Sequence, residues 1–227
     1  SPPTSIPLAA YVRLTICGRI PACTGRALTT ADNNVSKTRQ TPELLAPAGA
    51  WTAMKAAVAN GADAVYFGLD DFNARRRAEN FTSAQLGEVM DFLHDHNVRG
   101  YLAMNTLLFP AELDRAAEMA ARAARCGVDA VIVQDMALAN LIHRLAPELP
   151  LHASTQMALT GPRSLELARR LGIRRVILPR ETTLEQMARL AREGGVEVEV
   201  FVHGALCVSY SGQCLASLVL SGRRSAN

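Results

Sequence analysis

No apolar run in the 227 residues approaches the roughly 18–20 needed to cross a bilayer, so the sequence offers no candidate for a membrane-spanning helix. Neither sign of charge prevails. Twenty-four Lys and Arg stand against 21 Asp and Glu, and the resulting +3 is too mild to argue for nucleic-acid binding, which concentrates cations on one face. Five cysteines in a chain this long do not make a small disulfide scaffold; paired cysteines here point first to a metal or a catalytic role. CxxC pairs, an HExxH zinc helix and a nucleophile elbow are all missing, and the YSGQ of Tyr210–Gln213 only superficially suggests a serine nucleophile. What is present is an ordinary globular composition, 49% hydrophobic and 20% charged, enough for one sizeable core.

Residues 1–41 read differently from the rest. They are rich in Ser, Thr and Pro, with Arg13, Arg19, Arg26, Lys37 and Arg39 against the single acid Asp32, and no apolar period runs through them. The expectation is a leader-like or disordered extension, without the basic start, apolar core and small-residue cleavage site of a secretory signal. A targeting role stays open beside a cytoplasmic location. Residues 42–227 are expected to form one domain.

From Glu43 onward, short apolar runs alternate with segments of helical period. The runs are Glu43–Ala48, Ala64–Gly68, Gly100–Asn105, Ala130–Asp135, Leu151–Gln156, Arg175–Glu181 and Val196–His203. Nearly continuous runs such as AVIVQD and RVILP suit strands covered on both faces. Between them lie amphipathic stretches at Trp51–Asn60, Ala84–His96, Ala111–Cys126, Met136–Leu145, Pro162–Leu171 and Leu184–Glu193. Gly61, Gly127 and Gly172 stand where left-handed C-caps want glycine. Thr82 or Ser83, Pro110, and Thr182 or Thr183 stand at helix starts. APAGAW at Ala46–Trp51 lacks the spacing of a dinucleotide-binding turn, and the short regular units favour a TIM-like (β/α) barrel over an open sheet. Seven βα units are visible; the eighth strand is missing, supplied from elsewhere, or absent from the fold.

In such a barrel, chemistry gathers at the C-terminal ends of the strands. There the sequence places Asp70, Asp71, Asn73 and Arg75–Arg77, then Asn105, then Gln134 and Asp135, then Ser154, Thr155 and Gln156, then Arg180 and Glu181, and last His203. Asp135 and Glu181 could instead cap helices, Asn105 could hold a turn, and Arg75–Arg77 could be a solvated loop. His152 inside a strand reads as structural, and Cys126 at a helix end as a small buried apolar residue. Cys207 and Cys214, with six residues between them, read as two buried thiols or as metal ligands.

ELLAPAG at Glu43–Gly49, NGADAVYFG at Asn60–Gly68, STQ at Ser154–Gln156, LPRE at Leu178–Glu181 and above all VEVFVHGALCVSYSGQC at Val198–Cys214 together resemble the collagenase-like peptidase U32 family. Despite the peptidase name, the resemblance implies oxygen-independent hydroxylation, of an RNA pyrimidine (tRNA uridine or ribosomal RNA cytidine) or of a quinone precursor. It also implies an iron–sulfur cluster of the 4Fe-4S type, with prephenate as co-substrate in the RNA-modifying members. Cys207 and Cys214 match two of the four cluster ligands, the other two being expected after Asn227. For a site of this kind, Arg180, Glu181 and His203 are the expected catalytic residues. Asn105, Asp135, Gln156 and Arg75 are the expected substrate-binding ones, with the arginines suited to an anionic hydroxyl donor. The alternatives are a peptidase or an accessory subunit of quinone hydroxylation.

Overall fold

The structure, a computed structural model, describes residues 13–16, 42–74, 79–204 and 209–214. Eight strands close a barrel in chain order. They are β1 (Arg13–Ile16), β2 (Glu43–Pro47), β3 (Ala64–Gly68), β4 (Arg99–Met104), β5 (Ala130–Val133), β6 (Leu151–Ala153), β7 (Ile173–Ile177) and β8 (Glu197–Phe201). Helices follow six of them: α1 (Trp51–Ala59), α2 (Leu86–Asp95), α3 (Leu113–Arg125), α4 (Met136–Leu145), α5 (Pro162–Arg170) and α6 (Leu184–Glu193). Among the described residues no helix is long and apolar enough to cross a membrane.

The seven strands β2–β8 are mutually parallel, as the apolar runs imply. The eighth position is filled by β1, antiparallel to both its neighbours, with Arg13 opposite Leu45 on one side and Phe201 on the other. This strand comes from the segment expected to lie outside the domain. Four residues, RLTI, carry too little period to stand out from a polar background, so only pairing on both flanks reveals them. The remaining residues of 1–41 lie outside those described.

Local rules account for the punctuation. Gly61, Gly127 and Gly172 take positive φ of 83°, 73° and 75° just after their helices, ending each one as expected. Thr183 accepts a hydrogen bond from the Gln186 amide and starts α6, and Pro110 opens the 3-10 turn that leads into α3. Several strands are shorter than their apolar runs. The run Arg175–Glu181 is displaced furthest, because its strand occupies Ile173–Ile177 and Pro179, lacking an N–H, falls in the turn beyond it.

Two apolar layers result. One fills the space between sheet and helices, including Phe67, Leu86, Met90, Leu102, Val131, Leu138 and Val176. The other lines the barrel lumen with Leu45, Ala64, Tyr101, Ala130, Ile132 and Ile177. Alternation along each strand sorts residues between the two: in β5, Ala130 and Ile132 face the lumen while Val131 and Val133 face the helices.

Candidate functional site at the barrel mouth

Parallel register carries the expected residues to one rim. Asn105 follows β4, Asp135 follows β5, Gln156 lies just past β6, Arg180 and Glu181 follow β7, and His203 lies two residues past β8. Arg180 and His203 are exposed. Arg75 and Cys207 lie outside the described residues.

The polar side chains at this rim hold loops. Asn105 Oδ1 accepts from the Ala74 amide at 3.1 Å and ties the segment after β3 to the end of β4. Asp135 accepts from the Leu138 amide at 2.9 Å, capping α4, and with its other oxygen from the Leu108 amide at 3.1 Å. One carboxylate thus starts its own helix and fixes the neighbouring loop. At the end of β3, Gly68 is required by a close approach: a Cβ there would stand 1.9 Å from Asn73 Nδ2, which itself donates to Asn80 Oδ1 at 2.6 Å.

Glu181 does the same for the cysteine-bearing segment. Its two oxygens accept from the Ser211 amide and the Ser211 hydroxyl, each at 3.0 Å. The next residue, Gly212, takes φ 75° and presses its backbone against the Gln156 carbonyl, so closely that a Cβ would come within 2.3 Å of the oxygen. Segment 209–214 is therefore fastened to the ends of both β6 and β7. Cys214, at the end of this segment, is 8% exposed.

One acceptor at the rim has no such duty. Gln134 continues the lumen-facing alternation of Ala130 and Ile132 and is only 6% exposed, and its Oε1 has no hydrogen-bond partner among the described residues. An unsatisfied buried acceptor costs about 1–3 kcal/mol, a cost removed when a ligand brings a donor. Thr182 Oγ1 is buried in the same unpartnered state. The sequence named Gln134 only as a strand end; its position at the end of an apolar run, in register with the lumen residues, was the signal that sets it apart from Asp135.

Thiolate is the right donor for an iron–sulfur cluster, and Cys214 is placed at the mouth. Among the described residues no group of three or more His, Cys, Asp or Glu could hold a metal ion. A cluster held here would need further ligands from outside the described residues.

Deeper in the lumen, toward the N-terminal ends of the strands, lies a charged cluster that sequence reasoning missed. Arg175 Nη1 meets Glu43 Oε1 at 2.7 Å, its Nε donates to Glu197 Oε2 at 2.8 Å, and Glu199 Oε2 stands 3.6 Å from Nη1. Tyr101 OH donates to Glu43 at 3.0 Å, and Arg99 pairs with the same carboxylate. Burial pushes the Tyr101 hydroxyl well above the ordinary tyrosine range, and the Glu43 charge adds to it while Arg175 opposes. Burial opposes the Arg175 charge too, but Tyr101, Glu43 and Glu199 more than restore it. The period-two Glu197–Glu199 pair in EVEVF was the available signal.

The pattern of peptidase family U32 matches residues 49–227. An uncharacterized protease of Methanocaldococcus jannaschii is 41% identical over 187 residues, covering 80% of this chain and 45% of that protein. The tRNA hydroxylation protein P1 of Bacillus subtilis is 33% identical over 184 residues, 81% of this chain and 44% of that one. The 23S rRNA 5-hydroxycytidine synthase of Escherichia coli is 37% identical over 185 residues, 82% of this chain and 28% of that one. The chain spans less than half the length of each of these relatives.

Proposed function

The chain belongs to peptidase family U32, and from that premise we propose that it is the barrel portion of an enzyme that hydroxylates a pyrimidine base in RNA. Two of the relatives carry names of RNA hydroxylation, one on tRNA and one on ribosomal RNA. The observation that carries the reading is the Glu181–Ser211 latch, which fastens the segment bearing Cys214 over the C-terminal mouth, where barrels of this kind do their chemistry.

In this reading the target base enters the mouth, and Gln134 Oε1, a buried acceptor without a partner among the described residues, takes an N–H of its Watson–Crick edge. Replacing a ring C–H by C–OH with oxygen at the hydroxide level removes two electrons and a proton from the base. The electrons go one at a time to an external electron-carrier protein as oxidant, and the proton goes to solvent. An iron–sulfur cluster, with Cys207 and Cys214 among its ligands, would supply one-electron redox chemistry at that point. Prephenate is the proposed source of the hydroxyl group, and Arg180, with Arg75, suits its carboxylates.

The test is the nucleoside profile of RNA from cells lacking the protein, read by mass spectrometry. The expected result is loss of one hydroxylated pyrimidine, restored by the unaltered protein and not by Cys214→Ser, whose iron and sulfide content should fall in parallel. An unchanged profile, accompanied by cleavage of collagen peptides by the purified protein, would instead establish the peptidase reading that the name of the M. jannaschii relative carries.

A further inference from the structure

The opposite end of the barrel carries a feature unrelated to the mouth. Each helix runs back from the C-terminal rim, so the last turns of α3–α6 gather at the N-terminal rim. Those turns hold Arg122 and Arg125, His143 and Arg144, Arg169 and Arg170, and Arg192. First turns at the other rim hold Asp114 in α3 and Glu185 in α6. The last turns of four helices thus bring these basic side chains to one rim.

Between α5, α6 and the starts of β7 and β8, this cationic end opens into a cleft of about 630 Å³. His143, Arg169, Arg174 and Arg192 line it. The one acid on its wall among the described residues, Glu197, is engaged by the buried Arg175. Arg170 is taken by Glu166 and Arg189 by Glu193, whereas Arg169, Arg174 and Arg192 have no ion pair among the described residues. Two glycines shape the floor. Gly172 and Gly195 take φ of 75° and 62°, and a Cβ on them would stand 2.2 Å from His143 Nδ1 and 2.7 Å from Arg169 Nη1. Two of the basic side chains therefore lie directly on bare backbone.

Basic residues in last helical turns have an ordinary explanation, since they complement the helix dipole. That explanation covers His143, Arg169 and Arg192. It does not cover Arg174, the exposed second residue of strand β7, nor the convergence of three helix ends on it around an open cleft. A wide, open cleft lined by cations is unlike the enclosed pockets that take small molecules, and like the surfaces that track a phosphate backbone.

We propose that this N-terminal cleft is a second RNA-docking site, in which Arg169, Arg174 and Arg192 hold backbone phosphates while the target base occupies the mouth. The inference rests on the RNA reading above. Helix α3 alone, 13 residues, spans about 20 Å between the two rims, so one RNA must reach at least that far to engage both.

The experiment compares the unaltered protein with the triple variant Arg169→Gln/Arg174→Gln/Arg192→Gln. It measures binding of unfractionated tRNA and of a five-nucleotide RNA across a salt series, with thermal melting as a fold control. For the variant, the slope of log affinity against log salt for tRNA should fall by about 2–3, following from three lost phosphate contacts. The melting temperature should stay as it was, and the matching Arg→Lys triple variant should keep the original slope. An unchanged slope with tRNA still bound overturns the docking site and leaves the RNA reading standing. Failure of the unaltered protein to bind either RNA at low salt overturns the RNA reading itself. Displacement of tRNA by poly-glutamate as effectively as by competing tRNA would mark the cleft as a site for an acidic protein and overturn the proposal.

Discussion

Arg175 shows what a single residue does when its charge is enclosed by a barrel. Its guanidinium faces Glu43, Glu197 and Glu199, and its Cζ lies over the Tyr101 ring, 5.5 Å from the ring centre. Glu199 is wholly buried. Removing one partner from such a group leaves uncompensated charge in a low-dielectric space, whereas removing matched partners does not. Arg175→Met should therefore lose about 3–5 kcal/mol of unfolding free energy in a urea titration. The double variant Glu43→Gln/Arg175→Met should lose clearly less than the sum of its two single variants. Strict additivity would show that the cluster contributes no mutual stabilisation. Tyr101 supplies a second readout. Its raised pKa means that the folded form resists ionisation which the unfolded chain accepts. Its stabilising contribution is therefore complete below the ordinary tyrosine value near 10 and is lost as pH rises beyond it. Tyr101→Phe should flatten that alkaline decline in stability.

At the scale of elements, the rim is assembled by carboxylates and amides that fasten one loop to the next. Asp135 joins α4 to the loop after β4, Asn105 joins that strand end to the segment after β3, and Glu181 joins the end of β7 to segment 209–214. Hydrogen bonds to a charged acceptor contribute about 1.5–3 kcal/mol, enough to hold a short segment without governing the whole fold. Glu181→Ala should therefore release the Cys214 segment while the barrel stays folded. Alkylation at Cys214, located by peptide mass spectrometry, should accelerate at least about tenfold, the factor corresponding to the smaller of those energies. Ser211→Ala, which keeps the backbone N–H donor, should give an intermediate rate. Equal rates in all three proteins would show that the latch does not hold the segment.

For the whole molecule, closure depends on β1. A seven-stranded parallel sheet leaves open edges at β2 and β8, and β1 pairs with both. Leu14→Pro removes a backbone donor from a strand flanked on each side, a substitution that strands in sheet interiors do not accept. It should cost about 1–3 kcal/mol and raise hydrogen exchange at the amides of β2 and β8 above that of β4 and β5. Exchange unchanged at those two strands would show that the barrel stands without β1.

The order of strands and helices, the single rim and the capping glycines were all legible in the sequence. Apolar period and turn chemistry are local, and each can be read within about ten residues. The resemblance in Val198–Cys214 and its neighbours carried the family. Other features depended on residues far apart in the chain. Nothing within RLTI announces a strand; Leu45 and Phe201 on either flank make it one. Glu181 read equally as an acid catalyst or a cap until the fold brought Ser211, 30 residues away, to its oxygens. Arg175 and Glu43 are separated by 132 residues, and only barrel closure joins them. The even charge count gave no hint that the basic last turns share one rim, because that requires helices that all run the same way. Local chemistry set the parts and the direction of each, while closure of the sheet determined which distant side chains share a space.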